Sequence, residues 1–257
     1  MTGVPSGGRT AKAPSLAVLR WPMVEDARPL VLVPVGSLEQ HGPHLPLGTD
    51  AMIARAATRA AAARLTGEGT NLCVAPTVGY GASGEHEGFP GTVSIGQEAL
   101  FTLLVELARS ACRWAHGVVL VNGHGGNLEP LRRAVGLLRE EGQPVGWTTC
   151  ETPAADAHAG RTETSLLMHL APRSVRIDLA RPGATAPLAE LMPRLRAEGV
   201  RPVSDNGVLG DPTASHAELG SSLFAALVDR LVAELRLLEV GGDGRLAAEA
   251  GRQAVPG

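Results

Sequence analysis

The chain has 257 residues, 44% of them hydrophobic and 3% aromatic, with a mean hydropathy of +0.07. This composition supports one large α/β domain or two small ones around a core of Ala, Val and Leu, and excludes a disordered chain. Twenty-three basic residues stand against 26 acidic ones with no basic block, which argues against nucleic acid as a partner.

Residues 1–14 are small and polar and read as a flexible tail. LVLVPV at 30–35 is a continuous run that predicts a strand buried on both faces of a parallel sheet. A Gly/Pro-rich loop runs to Asp50, and AMIARAATRAAAARL then predicts a helix. A short strand at 72–75 precedes the glycine-rich loop GYGASGEHEGFPGT. The segment 97–115 is amphipathic, with Leu100, Leu103, Leu104 and Leu107 on one stripe. GVVLV at 117–121 repeats the buried-strand pattern, and NGHGGN leads into a helix over 128–141. A strand at 145–149 and the loop ETPAADAHAG lead to a helix over 161–170, which Pro172 ends. Residues 181–212 are rich in Pro and Gly and give no clear element. A long helix covers 214–238, and a flexible tail is expected from Gly241 to the end. Strands alternating with helices at this spacing predict a parallel α/β sheet, in one domain over 15–240.

The cysteines Cys73, Cys112 and Cys150 form no CxxC pair, so neither a disulfide framework nor a cysteine metal site is expected. No apolar run approaches the roughly 20 residues of a membrane span, and the first residues lack a secretory apolar stretch. A cytoplasmic protein without a membrane partner is the expectation.

Ligand sites in open α/β sheets form beyond the carboxyl ends of the strands, and the unusual polar residues fall there. Five histidines, His41, His44, His86, His124 and His158, lie on that rim. In extended backbone alternate residues point the same way, so Glu39 and His41 face one point while Gln40 turns aside. Asp50 returns at the start of the next helix. It would serve there as an N-cap, but beside Glu39 and His41 it reads as a metal ligand. His44 fits a third ligand or a hydrogen-bonding support equally well. His124 sits at the tip of a glycine turn that lacks the spacing of a phosphate loop, and suits a metal. Glu163, in the first turn of its helix, reads as a ligand or as half of a capping box. Ser83, Glu85, His86 and Gly125 are candidates for substrate contact, although Glu85 and His86 fit exposed surface positions equally well. Ser37 and Ser83 lack the GxSxG turn of a serine nucleophile.

At these residues the sequence resembles the creatininase (creatinine amidohydrolase) family. PVGSLEQHGPHLPLGTD at 34–50, VNGHGGN at 121–127 and HAGRTETS at 158–165 carry the resemblance, with GEHEGFPGTVSIG at 84–96. It implies a three-layer α/β/α fold with a mostly parallel central sheet, a homo-oligomer, and two divalent metal ions per subunit. It also implies metal-ligand roles for Glu39, His41, Asp50 and His124, with Asp50 bridging. The family's creatininase has a glutamate where this chain has Gly126, and the remaining ligand role then falls to Glu163. Two imidazoles and three carboxylates suit zinc, iron(II) or manganese alike. The expected chemistry is attack on an amide carbonyl by a hydroxide shared between the metals, with His158, unligated, moving the proton. EHEGFPGT, DAHAGRTETS and GVLGDPT are most similar to a peptidase branch of the family that trims a modified precursor peptide. A hydrolase of a small cyclic amide or formamide, or a metal-bound protein without catalysis, would use the same residues.

Overall fold

The computed structural model describes residues 13–152 and 156–247. Four parallel strands, β1 (Leu30–Val35), β2 (Leu72–Val74), β3 (Gly117–Asn122) and β4 (Val145–Thr149), form one sheet in the order β2-β1-β3-β4. β1 pairs with β3 along its whole length, from Leu30 opposite Gly117 to Val35 opposite Asn122. Every residue of these strands is buried, as their unbroken apolar runs require.

The period-two alternation of strand side chains divides the core. Leu30, Leu32, Val119 and Val121 point to one face, where α2 (Thr49–Gly67), α5 (Arg161–Leu170) and α7 (Ala217–Leu237) pack. Val31, Val33, Val118, Leu120 and Trp147 point to the other, under α3 (Gln97–Ala111) and α4 (Leu128–Glu140). The fold is thus the expected three-layer α/β/α sandwich. A short α1 (Trp21–Ala27) precedes the sheet, and α6 (Leu188–Glu198) lies within the segment that gave no sequence pattern.

That segment is a strap across the carboxyl end of the sheet. Leu195, Val200 and Leu209 form a small apolar cluster with Phe89 and Met192. Val200 N–H donates to Glu85 O at 2.8 Å, and His158 and Leu209 exchange both backbone hydrogen bonds. Its order comes from contacts remote in sequence, which is why no local periodicity announces it.

Most of the tails expected at 1–14 and 241–257 lies outside the described residues. Their described ends are packed. Pro14 O accepts from Val74 N at 3.0 Å. The expectation of a flexible tail from Gly241 needs correction over 241–247: Trp147 N donates to Gly244 O, Leu246 N donates to Trp147 O at 2.8 Å, and Leu246 is 3% exposed. The segment covers the outer edge of β4, so its backbone groups take the partners a further strand would have supplied.

Candidate metal centre

Three loops at the carboxyl ends of β1, β3 and β4 and one after β2 converge on a buried group of carboxylates and imidazoles. Glu39 and His41 leave β1 together. Asp50 comes back to them because α2 starts against the backbone of Gly36, where a Cβ would stand 2.5 Å from the Ala51 backbone. Ser37 Oγ donates to Asp50 Oδ2 at 2.5 Å, so Ser37 supports a carboxylate and is no nucleophile. Gly123 N donates to Val35 O at 2.8 Å and brings the β3 loop, with His124, onto the same point. Asn122 and Asn127 fix that loop: Asn122 Nδ2 donates to His124 O, and Asn127 Nδ2 donates to Gly36 O.

Two groups of donors flank Asp50, and a third, Glu39, His86 and His158, shares a member with each. Glu39, Asp50 and His124 form one, with His124 Nε2 3.2 Å from Glu39 Oε2 and His124 Nδ1 3.3 Å from Asp50 Oδ2. His41, His158 and Glu163 form the other. His41 Nε2 lies 3.1 Å from Asp50 Oδ1 and 3.8 Å from Glu163 Oε2, so Asp50 stands between the groups with one oxygen toward each. His41 Nδ1 is 3.1 Å from Glu39 O and donates to it, which leaves Nε2 as the nitrogen that could ligate a cation. Glu163 is held by the Ala159 N–H at 2.6 Å, and Ala159 takes a left-handed φ of 53° to present it. The start of α5 is capped by Asp156, which accepts from Arg161 N and Thr162 N. Glu163 thus makes a backward bond of capping-box type, to the residue before the N-cap, while the same carboxylate faces His41 in the cluster.

The electrostatics of the metal-free protein are those of a site short of positive charge. Burial opposes ionisation of Glu39, yet His124 and His86 beside it draw its carboxyl down to about 2. Asp50 is held well below the usual carboxylate range against the same burial, by His41 and His124. His41, although buried, is driven up to about 10 by Asp50, then by Glu163 and Glu39. His124 is raised well above its ordinary value for the same reason. Glu163 goes the other way, pushed up to about 7 chiefly by burial. Both Glu39 carboxylate oxygens are buried without a well-formed hydrogen bond among the described residues, and face only imidazoles at 3.2–3.6 Å. An anion buried without hydrogen bonds is too costly to keep unless cations compensate it. The residues present therefore fit divalent cations, with protons on His41 and His124 as the poorer substitute.

The remaining candidates separate. His44 does not reach the cluster; its Nε2 lies 2.9 Å from Thr164 Oγ1 and ties the first loop to α5. Ser83 is fully buried with Oγ 3.3 Å from His124 Nε2, so it supports that imidazole rather than touching substrate. Glu85, His86 and Gly125 line a cavity of about 1610 Å³ that opens from the cluster, together with His158 and Glu163. His158 is buried, with Nε2 2.8 Å from Gln40 O and Nδ1 3.6 Å from Glu39 Oε1. Gln40, expected to turn aside, does turn from the carboxylates, but into a buried network with His86 and Gly207 O. Sequence spacing carried no sign of that network, because Gly207 belongs to the strap. Gly126 has its own reason: a Cβ there would stand 2.3 Å from Ala82 O, 2.5 Å from His124 Nε2 and 2.7 Å from Glu85 Oε1.

A three-layer α/β/α sandwich with carboxylates and imidazoles gathered beyond its strand ends defines a metal-dependent amide hydrolase. The chain belongs to the creatininase family: the creatinine amidohydrolase family model matches residues 17–235. It is 57% identical over 202 residues to the mycofactocin precursor peptide peptidase of Mycolicibacterium smegmatis, covering 78% of this chain and 82% of that protein. With the protein of the same name from Mycobacterium ulcerans it shares 53% over 222 residues, covering 85% and 89%. The creatinine amidohydrolase of Pseudomonas putida is 26% identical over 80% of this chain and 88% of its own. Among solved structures, a manganese creatininase superimposes with a TM-score of 0.73 at 26% identity, covering 88% of this chain and 98% of its own.

Proposed function

We propose that this chain is the peptidase that cleaves the modified mycofactocin precursor peptide near its C-terminus, releasing a crosslinked Val–Tyr-derived dipeptide. The observation that carries the proposal is the cavity. At about 1610 Å³ it exceeds the roughly 300–1,000 Å³ of an ordinary small-molecule pocket and has room for a peptide segment. The likeness in sequence to the mycobacterial peptidases supports the same substrate.

Glu39, Asp50 and His124 would hold one divalent ion, and His41, Asp50 and Glu163 a second, each zinc, iron(II) or manganese. Such ions supply a nucleophile from water at neutral pH and a Lewis acid for the carbonyl. The chain's own residues do the rest. Ser37 and the Ala159 N–H fix the Asp50 and Glu163 carboxylates. The hydrogen bond to Gln40 O leaves His158 Nδ1 as the lone pair facing the centre. That nitrogen accepts a proton and passes it to the departing amide nitrogen. Residues of α6 and the strap, among them Leu188, Met192 and Leu209, line the cavity wall.

Mass spectrometry of the modified precursor peptide after incubation with metal-loaded protein tests the substrate; an uncut peptide refutes it. His158→Ala should lower turnover with metal content intact, and loss of metal would make His158 a ligand.

A further inference from the structure

The hydrogen bonds around Gln40 have one consistent assignment. Gly42 N–H donates to Gln40 Oε1 at 2.9 Å, which fixes the orientation of the amide. Its Nε2 then lies 3.0 Å from Gly207 O and 2.8 Å from His86 Nδ1. The reverse orientation would set Oε1 against the Gly207 carbonyl and the NH₂ against the Gly42 N–H. Nε2 also lies 3.1 Å from His158 Nε2, but that nitrogen is 2.8 Å from Gln40 O and carries its own proton. The two amide protons of Gln40 therefore go to Gly207 O and His86 Nδ1. Because His86 Nδ1 accepts, the ring is neutral and its proton sits on Nε2. The strap is shaped for this contact: Gly207 has a φ of +79°, and a Cβ there would lie 1.9 Å from Gln40 Oε1.

The His86 Nε2–H points at the centre without a matched acceptor. Glu39 Oε1 is 3.4 Å away and Glu85 Oε1 3.9 Å, both beyond a good N–H···O bond. Distance alone groups His86 with Glu39 and His158 as a possible third ion site, but a protonated nitrogen is no metal ligand. His86 lines the cavity, where a substrate carbonyl would enter.

We propose that His86 is the hydrogen-bond donor to the scissile carbonyl oxygen, held as its Nε2–H tautomer by Gln40, which acts as a positioning residue. The inference rests on the amide-hydrolase reading of the centre. As the water-derived nucleophile bonds to the carbonyl carbon, the π electron pair moves to oxygen. The His86 Nε2–H stabilises that charge without giving up its proton, and the pair returns as the C–N bond breaks.

The test uses full-length, metal-loaded protein labelled with ¹⁵N-histidine. Long-range ¹H–¹⁵N correlation should show His86 protonated at Nε2 in the wild type, and at Nδ1 in Gln40→Glu, whose carboxylate can only accept. On the modified precursor peptide, His86→Phe should lose about 10²–10³-fold in kcat with KM and metal content kept. His86→Gln, which retains an N–H, should recover part of that loss. Wild-type His86 protonated at Nδ1, unchanged kcat in His86→Phe, or loss of metal in that variant would each overturn the donor role alone. A metal-loaded wild type that cleaves no amide would overturn the hydrolase reading and the donor role with it.

Discussion

Replacing Glu163 by Gln should shift stability in opposite directions in the metal-free and metal-loaded protein. Glu163 has a carboxyl raised from 4.5 to about 7, chiefly by burial, with only partial relief from His41 and the Ala159 N–H. An acid whose folded pKa lies above its unfolded one stabilises fully below the unfolded value. That stability is lost as pH rises through the folded value. The window here runs from about 4.5 to about 7, and the shift corresponds to about 3 kcal/mol. Gln cannot ionise, so metal-free Glu163→Gln should match the wild type near pH 4.5 and exceed it by up to about 3 kcal/mol at pH 8. Divalent ions reverse the sign, because the ionised carboxylate is then the favoured form. Each tenfold loss of metal affinity in the variant lowers its stability by about 1.4 kcal/mol at fixed, saturating metal, so the reversal requires an affinity about 10²–10³-fold weaker. Urea unfolding of both proteins at pH 5 and pH 8, with chelator and with zinc or manganese, reads all of these differences. A variant no more stable than wild type at pH 8 without metal would refute the burial of an ionised Glu163. A variant that keeps wild-type metal affinity would refute its role as a ligand.

Three further outcomes follow from particular contacts. Gly126→Ala places a methyl 2.3 Å from Ala82 O and 2.5 Å from His124 Nε2, so it should displace His124 and lower metal stoichiometry measured by elemental analysis; full stoichiometry would count against His124 as a ligand. Ser37→Ala removes the buried hydrogen bond to the Asp50 carboxylate and should cost about 1.5–3 kcal/mol in chemical denaturation, and a loss under about 0.5 kcal/mol would show the bond to be dispensable. Leu246→Ala should cost about 2–5 kcal/mol if residues 241–247 are part of the core, whereas a neutral effect would restore the view of a frayed tail.

The sequence by itself determined the layers and the first ring of the site. LVLVPV and GVVLV are apolar on both faces, and only a central strand covered on both sides accommodates such a run. Glu39, His41 and His124 were legible because each lies within a few residues of such a strand's end, and Asp50 because it opens the helix that returns to that rim. Glu163 was legible by place on a helix, but its purpose was not. A capping-type bond and a carboxylate turned to the centre have the same sequence, and only the fold shows Glu163 accepting from Ala159 N–H while it faces His41. Tertiary structure alone decided the rest. Residues 181–212 carry no period, since their order comes from Glu85, His158 and Gln40, each remote in the chain. The side-chain direction of Gln40 is set by Gly207, 167 positions later. Ser83 and His44 became supports once neighbours from other loops filled the space around them. Local pattern reports how a segment meets the core, whereas the proton positions and partners within a buried polar cluster depend on groups that only folding brings together.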